Sequence, residues 1–170
     1  MLTLEERVRL LEDVEAIRSL KAYYGKYADA KYTDDHQRRP QVEIDALARE
    51  QASVFTEDAI WDNGVGPSGI LRGREAIYNN LRLGPWKFAM HHFLSPLIEV
   101  DGDKATGRWM LWQTATFAES DIAVFMSAIT NDEYVRTPAG WKMSRMSFTL
   151  KYTTRFDRPW SVQKNGPFAP

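Results

Sequence analysis

The sequence predicts an α+β fold in which helices come first along the chain and strands follow. Helical periodicity dominates the first half of the 170 residues. After Pro85 the chain becomes rich in β-branched and aromatic residues, and short turn signals divide it into four long segments. Because helices and strands are segregated rather than alternating, we expect the helices to pack on one face of an antiparallel sheet.

The first predicted helix runs from about residue 4 to about residue 29. Thr3 and Glu6 form a capping box that favours its start. Behind them, apolar residues recur at helical spacing: Leu4, Val8, Leu11, Val14, Ile17, Leu20, Tyr24 and Tyr27. A polar loop over residues 32–41 precedes a second helix over 42–53. A short strand at 59–61, a glycine-rich turn and a third helix in "GREAIYNNLRLG" complete this half.

The four long strands are predicted over residues 88–100, 104–117, 122–136 and 140–155. Their connections, "DGDK", "AESD" and "TPAG", are typical turn sequences, so the strands should form an antiparallel meander. Residues 1–155 are therefore expected to form one domain. The tail over 156–170 has three prolines and no periodicity, which fits either a segment lying over the body or a disordered one.

Composition excludes several classes of function. The net charge is −1 and the basic residues are spread along the chain, which argues against a nucleic-acid surface. There is no cysteine, so thiolate chemistry and cysteine-ligated metals are excluded. No phosphate-binding loop or metal-spaced histidine cluster occurs, and we expect neither cofactor nor metal. No apolar run reaches the roughly 18 residues of a membrane span. The N-terminus is too charged for a signal peptide. We therefore expect a cytoplasmic protein.

The stretch "KFAMHHFLSPLIEV" holds two of the three histidines, His91 and His92. On a strand their side chains point to opposite faces, but large apolar residues occur on both faces, so parity does not decide which one is internal. The internal histidine is either a hydrogen-bonded core residue or a general base, since histidine titrates near neutral pH.

Asp29 is the second candidate, because it falls near the C-terminal end of the long helix, where the helix dipole disfavours an anion. It is either a solvated carboxylate or a group that orients a histidine and stabilises its charged form. Tyr23, Tyr24 and Tyr27 lie on the same helix; most tyrosines at this spacing are packing residues, although the hydroxyl can serve as a donor.

Three stretches resemble the SnoaL-like dehydratases of the NTF2-like superfamily, which include bile acid 7α-dehydratase, hexachlorocyclohexane dehydrochlorinase and scytalone dehydratase. The first, "DVEAIRSLKAYYGKYADAKY", fits the family pattern Ile-x-x-Leu-x-x-x-Tyr-x-x-x-x-Asp with Ile17, Leu20, Tyr24 and Asp29. The others are "AMHHFLSPLIEVDGDKATGRWML", which places the family's catalytic histidine on His91, and "ITNDEYVRTPAGWKMSRM". The resemblance implies a cone-shaped NTF2-like (cystatin-like) fold with Asp29 and His91 as a catalytic dyad and Tyr24 as a hydroxyl donor.

The resemblance also implies a cofactor-independent lyase, namely a dehydratase that removes a carbon-bound proton from a small apolar, cyclic molecule. Steroid-, polyketide- and aromatic-like molecules would fit. An isomerase or cyclase would use the same dyad. The pocket is expected to be lined by six residues: Trp61, Asn63, Trp86, Phe88, Phe125 and Lys151. Asn63 falls near the family's second pocket tyrosine, and Lys151 lies beside Leu150, where the family carries an arginine.

A non-catalytic alternative is a binding domain or the small subunit of an aromatic-ring dioxygenase, which share this fold. An open cavity with Asp29 within hydrogen-bond reach of His91 would favour the enzyme, whereas co-purification with an iron–sulfur partner chain would favour the subunit. The resemblance further implies a homo-oligomer, a trimer rather than a dimer, with the 156–170 tail covering its own pocket or a neighbouring subunit.

Overall fold

The computed structural model describes residues 2–64 and 69–156. The elements follow in the order α1 (Leu4–Asp29), α2 (Gln41–Ala52), β1 (Phe55–Asp62), β2 (Ile70–Arg72), α3 (Arg74–Arg82), β3 (Trp86–Asp101), β4 (Lys104–Phe117), β5 (Ala123–Thr137) and β6 (Gly140–Arg155). The predicted order of helices and long strands is confirmed. The tail beyond Phe156 lies outside the described residues.

The sheet has six strands in the order β2-β1-β6-β5-β4-β3. Strands β3 to β6 form the predicted antiparallel meander. The sheet as a whole is mixed rather than antiparallel throughout, because β1 pairs parallel to β6 and antiparallel to β2. Strand β1 is also longer than the predicted 59–61, and the three-residue β2 was not predicted.

Irregular pairing bends the long strands. The register between β3 and β4 shifts between Leu94 and Leu97, where Ser95 has a positive φ of 48°. Two more shifts occur between β5 and β6. Because a bulge increases local bend and twist, these shifts curve the sheet around the helices. The inner face then forms one wall of the main core, which Ile17, Phe55 and Tyr134 share.

Helix α1 begins with the predicted capping box, in which the Thr3 hydroxyl accepts from the Glu6 backbone N–H. Its burial differs from the sequence prediction. Leu4, Val8 and Leu11 are exposed, and the buried face begins only at Asp13 and Ile17. Apolar spacing therefore predicted the helix correctly but not where it meets the body, because the first turns extend past the sheet. Within the part of the chain that the structure describes, no helix is long and apolar enough to cross a membrane.

Two ionic contacts fasten α1 to the sheet. The buried ammonium of Lys21 lies 2.7 Å from Asp132 Oδ2 and 3.1 Å from Thr130 Oγ1 on β5. Nearer the start of α1, Asp13 accepts two hydrogen bonds from Arg136 at 2.8 and 2.7 Å. These hydrogen bonds hold the pKa of Asp13 below its ordinary value. Since buried charges need partners, the two contacts fix the position of α1 on the inner face.

Candidate active site

Asp29 and His91 meet where the end of α1 crosses β3. The Asp29 Oδ1 atom lies 2.7 Å from His91 Nδ1. The same carboxylate accepts the His91 backbone N–H, at 3.0 Å for Oδ1 and 3.3 Å for Oδ2. The side chains are 16% and 28% exposed for His91 and Asp29, so the pair is partly open to solvent. One contact to the ring and two to the backbone N–H place the imidazole against the carboxylate.

Local sequence explains why these residues meet. Asp29 is the last residue of α1, one turn after Gly25. A methyl group on Gly25 would stand 3.5 Å from the Phe93 ring, an ordinary contact distance, so β3 packs directly against this turn of the helix. Phe93 shares the inward face with His91 and stacks parallel to it, with ring centroids 6.4 Å apart. His92 is exposed on the opposite face, which confirms the predicted division of the two histidines.

The contact fixes the tautomer of His91. An ionised carboxylate can only accept hydrogen bonds, so the proton of the neutral imidazole lies on Nδ1. The lone pair is then on Nε2, at the far side of the ring from Asp29. An Asp–His pair of this kind orients the base and stabilises the imidazolium that forms when it takes a proton. The arrangement can therefore perform general acid–base chemistry.

The inner face around His91 is set by strand register. His91 pairs with Gln113 on β4, and Gln113 pairs with Met126 on β5. The next row towards the sheet end consists of small apolar residues: Ala89, Ala115 and Val124. Tyr32, Trp86, Phe117 and Ile122 pack against that row. The surroundings of the dyad are thus mainly apolar and aromatic, with Gln113 as a polar neighbour.

Tyr24 lies one aromatic ring away from His91. Its ring packs edge-on against Phe93 with centroids 5.8 Å apart and against Phe55 at 5.9 Å. Burial raises the pKa of its hydroxyl well above the ordinary value, and Gln51 opposes this by hydrogen bonding. The hydroxyl is therefore protonated at neutral pH. Its assignment as a donor to substrate stays a prediction.

Two predicted pocket residues, Trp86 and Phe88, lie at the start of β3, the strand that carries His91. Trp86 packs against Phe117 with centroids 4.5 Å apart. Phe88 contacts two rings of the loop that follows α1, Tyr32 at 5.7 Å and His36 at 4.5 Å. Phe88 therefore supports this loop at the sheet edge.

Trp61 lies on β1 and Asn63 directly after it, on the opposite side of the strand order from β3. Trp61 pairs with Met146 and packs against the main core, and its indole N–H is buried without a hydrogen-bond partner among the described residues. Asn63 follows the end of β1 and is half-buried. These two residues are separated from His91 by several strands.

The assignment of Phe125 to the pocket is wrong. Phe125 pairs with Thr114, whereas the inward-facing Gln113 pairs with Met126, so Phe125 points to the outer face. There it packs between Trp112 and Tyr152, at 5.8 and 6.1 Å. Lys151 is exposed and lies at the register shift between the pairs of Leu150 and Tyr152. This position does not bring it to His91.

Two buried lysines were missed by sequence reasoning. Lys31 donates to Gln51 Oε1 at 2.5 Å and to the Leu81 carbonyl at 2.9 Å, and burial lowers its pKa to about 7. Burial also lowers the pKa of Lys21, against the opposing effect of Asp132. Lysines in helical patterns ordinarily face solvent, so the sequence carries no signal for either position. Among the described residues, no group of three or more His, Cys, Asp or Glu side chains could hold a metal ion.

Comparisons with known proteins show the family of the chain. The family model described as the SnoaL-like domain matches residues 44–147. Hexachlorocyclohexane dehydrochlorinase 1 from Sphingobium indicum is 22% identical over 146 residues, which covers 85% of this chain and 89% of that protein. Hexachlorocyclohexane dehydrochlorinase 2 from the same species is 23% identical over 146 residues, covering 85% and 88%.

Solved structures show the same fold. A hexachlorocyclohexane dehydrochlorinase from Novosphingobium barchaimii has a TM-score of 0.72 at 20% identity, covering 93% of this chain and 99% of that one. An NTF2-like protein with a cystatin-like fold from Novosphingobium aromaticivorans has a TM-score of 0.66 at 25% identity, covering 96% and 99%. These matches confirm the predicted NTF2-like, cystatin-like fold.

Proposed function

The chain belongs to the SnoaL-like family, and from that membership and the Asp29–His91 contact we propose that it is a cofactor-independent lyase of the dehydratase type. Its relatives by sequence are dehydrochlorinases, which are also elimination enzymes. The single observation that carries the proposal is the 2.7 Å contact between Asp29 Oδ1 and His91 Nδ1. A carboxylate that holds a histidine in this tautomer is the arrangement that general base catalysis by histidine uses.

In the proposed reaction, His91 Nε2 removes a proton from carbon, and Asp29 stabilises the resulting imidazolium. The electron pair of the broken C–H bond forms a double bond as a hydroxide group leaves the neighbouring carbon. The departing group takes the proton back from His91 and leaves as water. Tyr24, which burial keeps protonated, is the proposed donor to the departing oxygen. An isomerase would share the first step and return the proton to a different carbon.

The proposed substrate is apolar and cyclic. Support comes from the aromatic and small apolar side chains around the dyad, in particular Phe93, Trp86 and Phe117. Steroid-, polyketide- and aromatic-like hydroxy compounds fit this description. Screening cyclic hydroxy-ketones for thermal stabilisation, and then for loss of water, identifies the members that bind and react.

Three variants test the dyad with a substrate found in this way. His91→Gln and Asp29→Asn should each lower turnover by about 10²–10⁴-fold, because each removes general base catalysis or its orientation. His92→Gln is the matched control and should leave turnover unchanged, since His92 is exposed on the opposite face. Wild-type turnover in both dyad variants would rule the mechanism out.

We also infer that the chain forms a homo-oligomer, with a trimer as the expected state. The outer face of the sheet carries four exposed large apolar residues that support this inference: Met90, Leu94, Trp112 and Tyr152. Exposed apolar patches of this kind mark interaction surfaces.

A further inference from the structure

Gln113 stands beside the proposed base on the inner face of the sheet. It is the β4 residue directly opposite His91 in the antiparallel register. Side chains at such positions lie on one face with Cβ atoms about 4.5–5.5 Å apart. Gln113 is only 4% exposed. Gln113 is therefore a buried neighbour of His91 on the inner face.

The Gln113 amide lacks a partner of its own. Its Nε2 atom is buried and has no hydrogen bond within residues 2–64 and 69–156. Gln51, the other buried glutamine, instead accepts a hydrogen bond from Lys31. Leaving a buried donor unsatisfied costs about 1–3 kcal/mol. A native protein retains such a group where something else satisfies it or where it has a function.

We propose that Gln113 binds the carbonyl oxygen of the substrate. This carbonyl is attached to the carbon from which His91 takes the proton. This inference rests on the proposed function of the dyad. It adds a specificity-determining residue, Gln113, and it narrows the proposed hydroxy compounds to β-hydroxy carbonyl compounds.

The chemistry explains why a donor belongs at this position. When His91 Nε2 takes the α-proton, the C–H electron pair forms a carbon–carbon double bond and the carbonyl π pair moves to oxygen. The oxygen of this enolate gains negative charge, which a donor already in place stabilises without reorganisation. The enolate then collapses to the conjugated carbonyl and expels hydroxide from the β-carbon. Hydroxide takes the proton from the His91 imidazolium and leaves as water.

The same amide discriminates between substrates. A chlorinated hydrocarbon, the class of compound named for the dehydrochlorinase relatives, carries no oxygen and would leave the amide unpaired in the complex. Sites built to hydrogen-bond a substrate reject analogues without that group by about 10⁴–10⁵-fold. The structure thus assigns this chain to oxygenated substrates.

The test uses 2-tetralone, a bicyclic ketone with acidic α-protons, and tetralin, the same ring system without the carbonyl. Two readouts are needed: the infrared stretching frequency of the bound, isotope-labelled carbonyl, and exchange of the α-protons for deuterium by NMR. The variants are Gln113→Met, which keeps the side-chain volume, and Thr114→Val, a control at the next position on the opposite face. His91→Gln reports on the dyad alone.

We expect the wild type to bind 2-tetralone more tightly than tetralin and to lower the carbonyl frequency. Gln113→Met should lose the frequency shift and slow exchange by about 10²–10³-fold, with an unchanged or higher unfolding temperature. Thr114→Val should behave as the wild type.

Two outcomes would overturn the assignment of Gln113: equal affinity of the wild type for the two ring compounds, or a frequency shift and exchange rate that survive in Gln113→Met. His91→Gln should keep the carbonyl shift but abolish exchange. If it exchanges protons as fast as the wild type, the proposed function fails, and the carbonyl frequency still decides the role of Gln113.

Discussion

Lys31 lies two residues after Asp29 and is the residue whose titration we expect to affect stability near neutral pH. Its ammonium group is buried, and burial together with the nearby Arg38 lowers its pKa from 10.5 to about 7, while Asp29 acts in the opposite direction. The unfolded chain therefore binds more protons than the folded chain between these two values. Stability must then rise with pH across this window, and the gain is lost as the pH falls to about 7.

Comparison with Lys31→Met isolates this effect. The unfolding free energy of the wild type should rise by about 1–2 kcal/mol relative to the variant between pH ~7.5 and ~9. Denaturant unfolding at several pH values measures the difference. Only the pH dependence is informative, because the variant also removes the donor to Gln51 and Leu81. Parallel curves for the two proteins would show that Lys31 does not titrate in this range.

At the level of single residues, the sequence predicted what a local motif can encode. The resemblance of the Tyr24–Asp29 spacing and of the His91 strand to the family's short patterns implied that Asp29 and His91 pair, and the two side chains are in contact. Gln113 and Phe125 depend on cross-strand register, which a sequence shows only weakly. A shift of one residue exchanges the two faces of a strand, and Phe125 was therefore assigned to the wrong face.

At the level of elements, the Lys21–Asp132 pair is the main polar link between α1 and the sheet. Both side chains are almost fully buried, and Asp132 Oδ2 also accepts from the Tyr134 hydroxyl at 2.8 Å. Lys21→Met would leave the Asp132 carboxylate buried without its cation. Breaking a buried pair in this way costs about 3–5 kcal/mol.

The double variant Lys21→Met/Asp132→Asn should recover most of that loss, because it removes both charges and keeps an acceptor for Tyr134. Lys26→Met, on the exposed side of the same helix, should change stability by less than about 0.5 kcal/mol. Urea unfolding of the wild type, the single variants Lys21→Met and Asp132→Asn, and the double variant gives the coupling energy. Additive effects of the two substitutions would mean that the ion pair does not hold α1 in place.

The elements that the sequence mispredicted are those fixed by distant contacts. The first turns of α1 have the apolar spacing of a buried helix, but the sheet they would cover ends near Asp13. Strand β1 follows α2 closely in sequence but pairs in parallel with β6, about 80 residues later. No local turn sequence predicts this pairing. Periodicity reports the type of an element, whereas its partner depends on the rest of the chain.

At the scale of the whole molecule, the outer face of the sheet is the surface that we propose for contact between subunits. An aromatic row crosses it from Trp112 on β4 through Phe125 on β5 to Tyr152 on β6. Trp112 and Tyr152 are 43% and 42% exposed. Exposed aromatic rings backed by a rigid sheet are typical of the anchors in protein interfaces.

Trp112→Glu should therefore convert the proposed trimer to a monomer, because it would place a charge in the centre of the buried surface. Sedimentation equilibrium measures the mass, and Val42→Glu, on the exposed side of α2, is the matched control. A monomeric wild type at micromolar concentration would contradict the inference. Because His91 and Asp29 lie on the opposite face of the sheet, the Trp112→Glu monomer should keep its turnover. A monomer that folds but has lost turnover would instead show that a neighbouring subunit completes the active site.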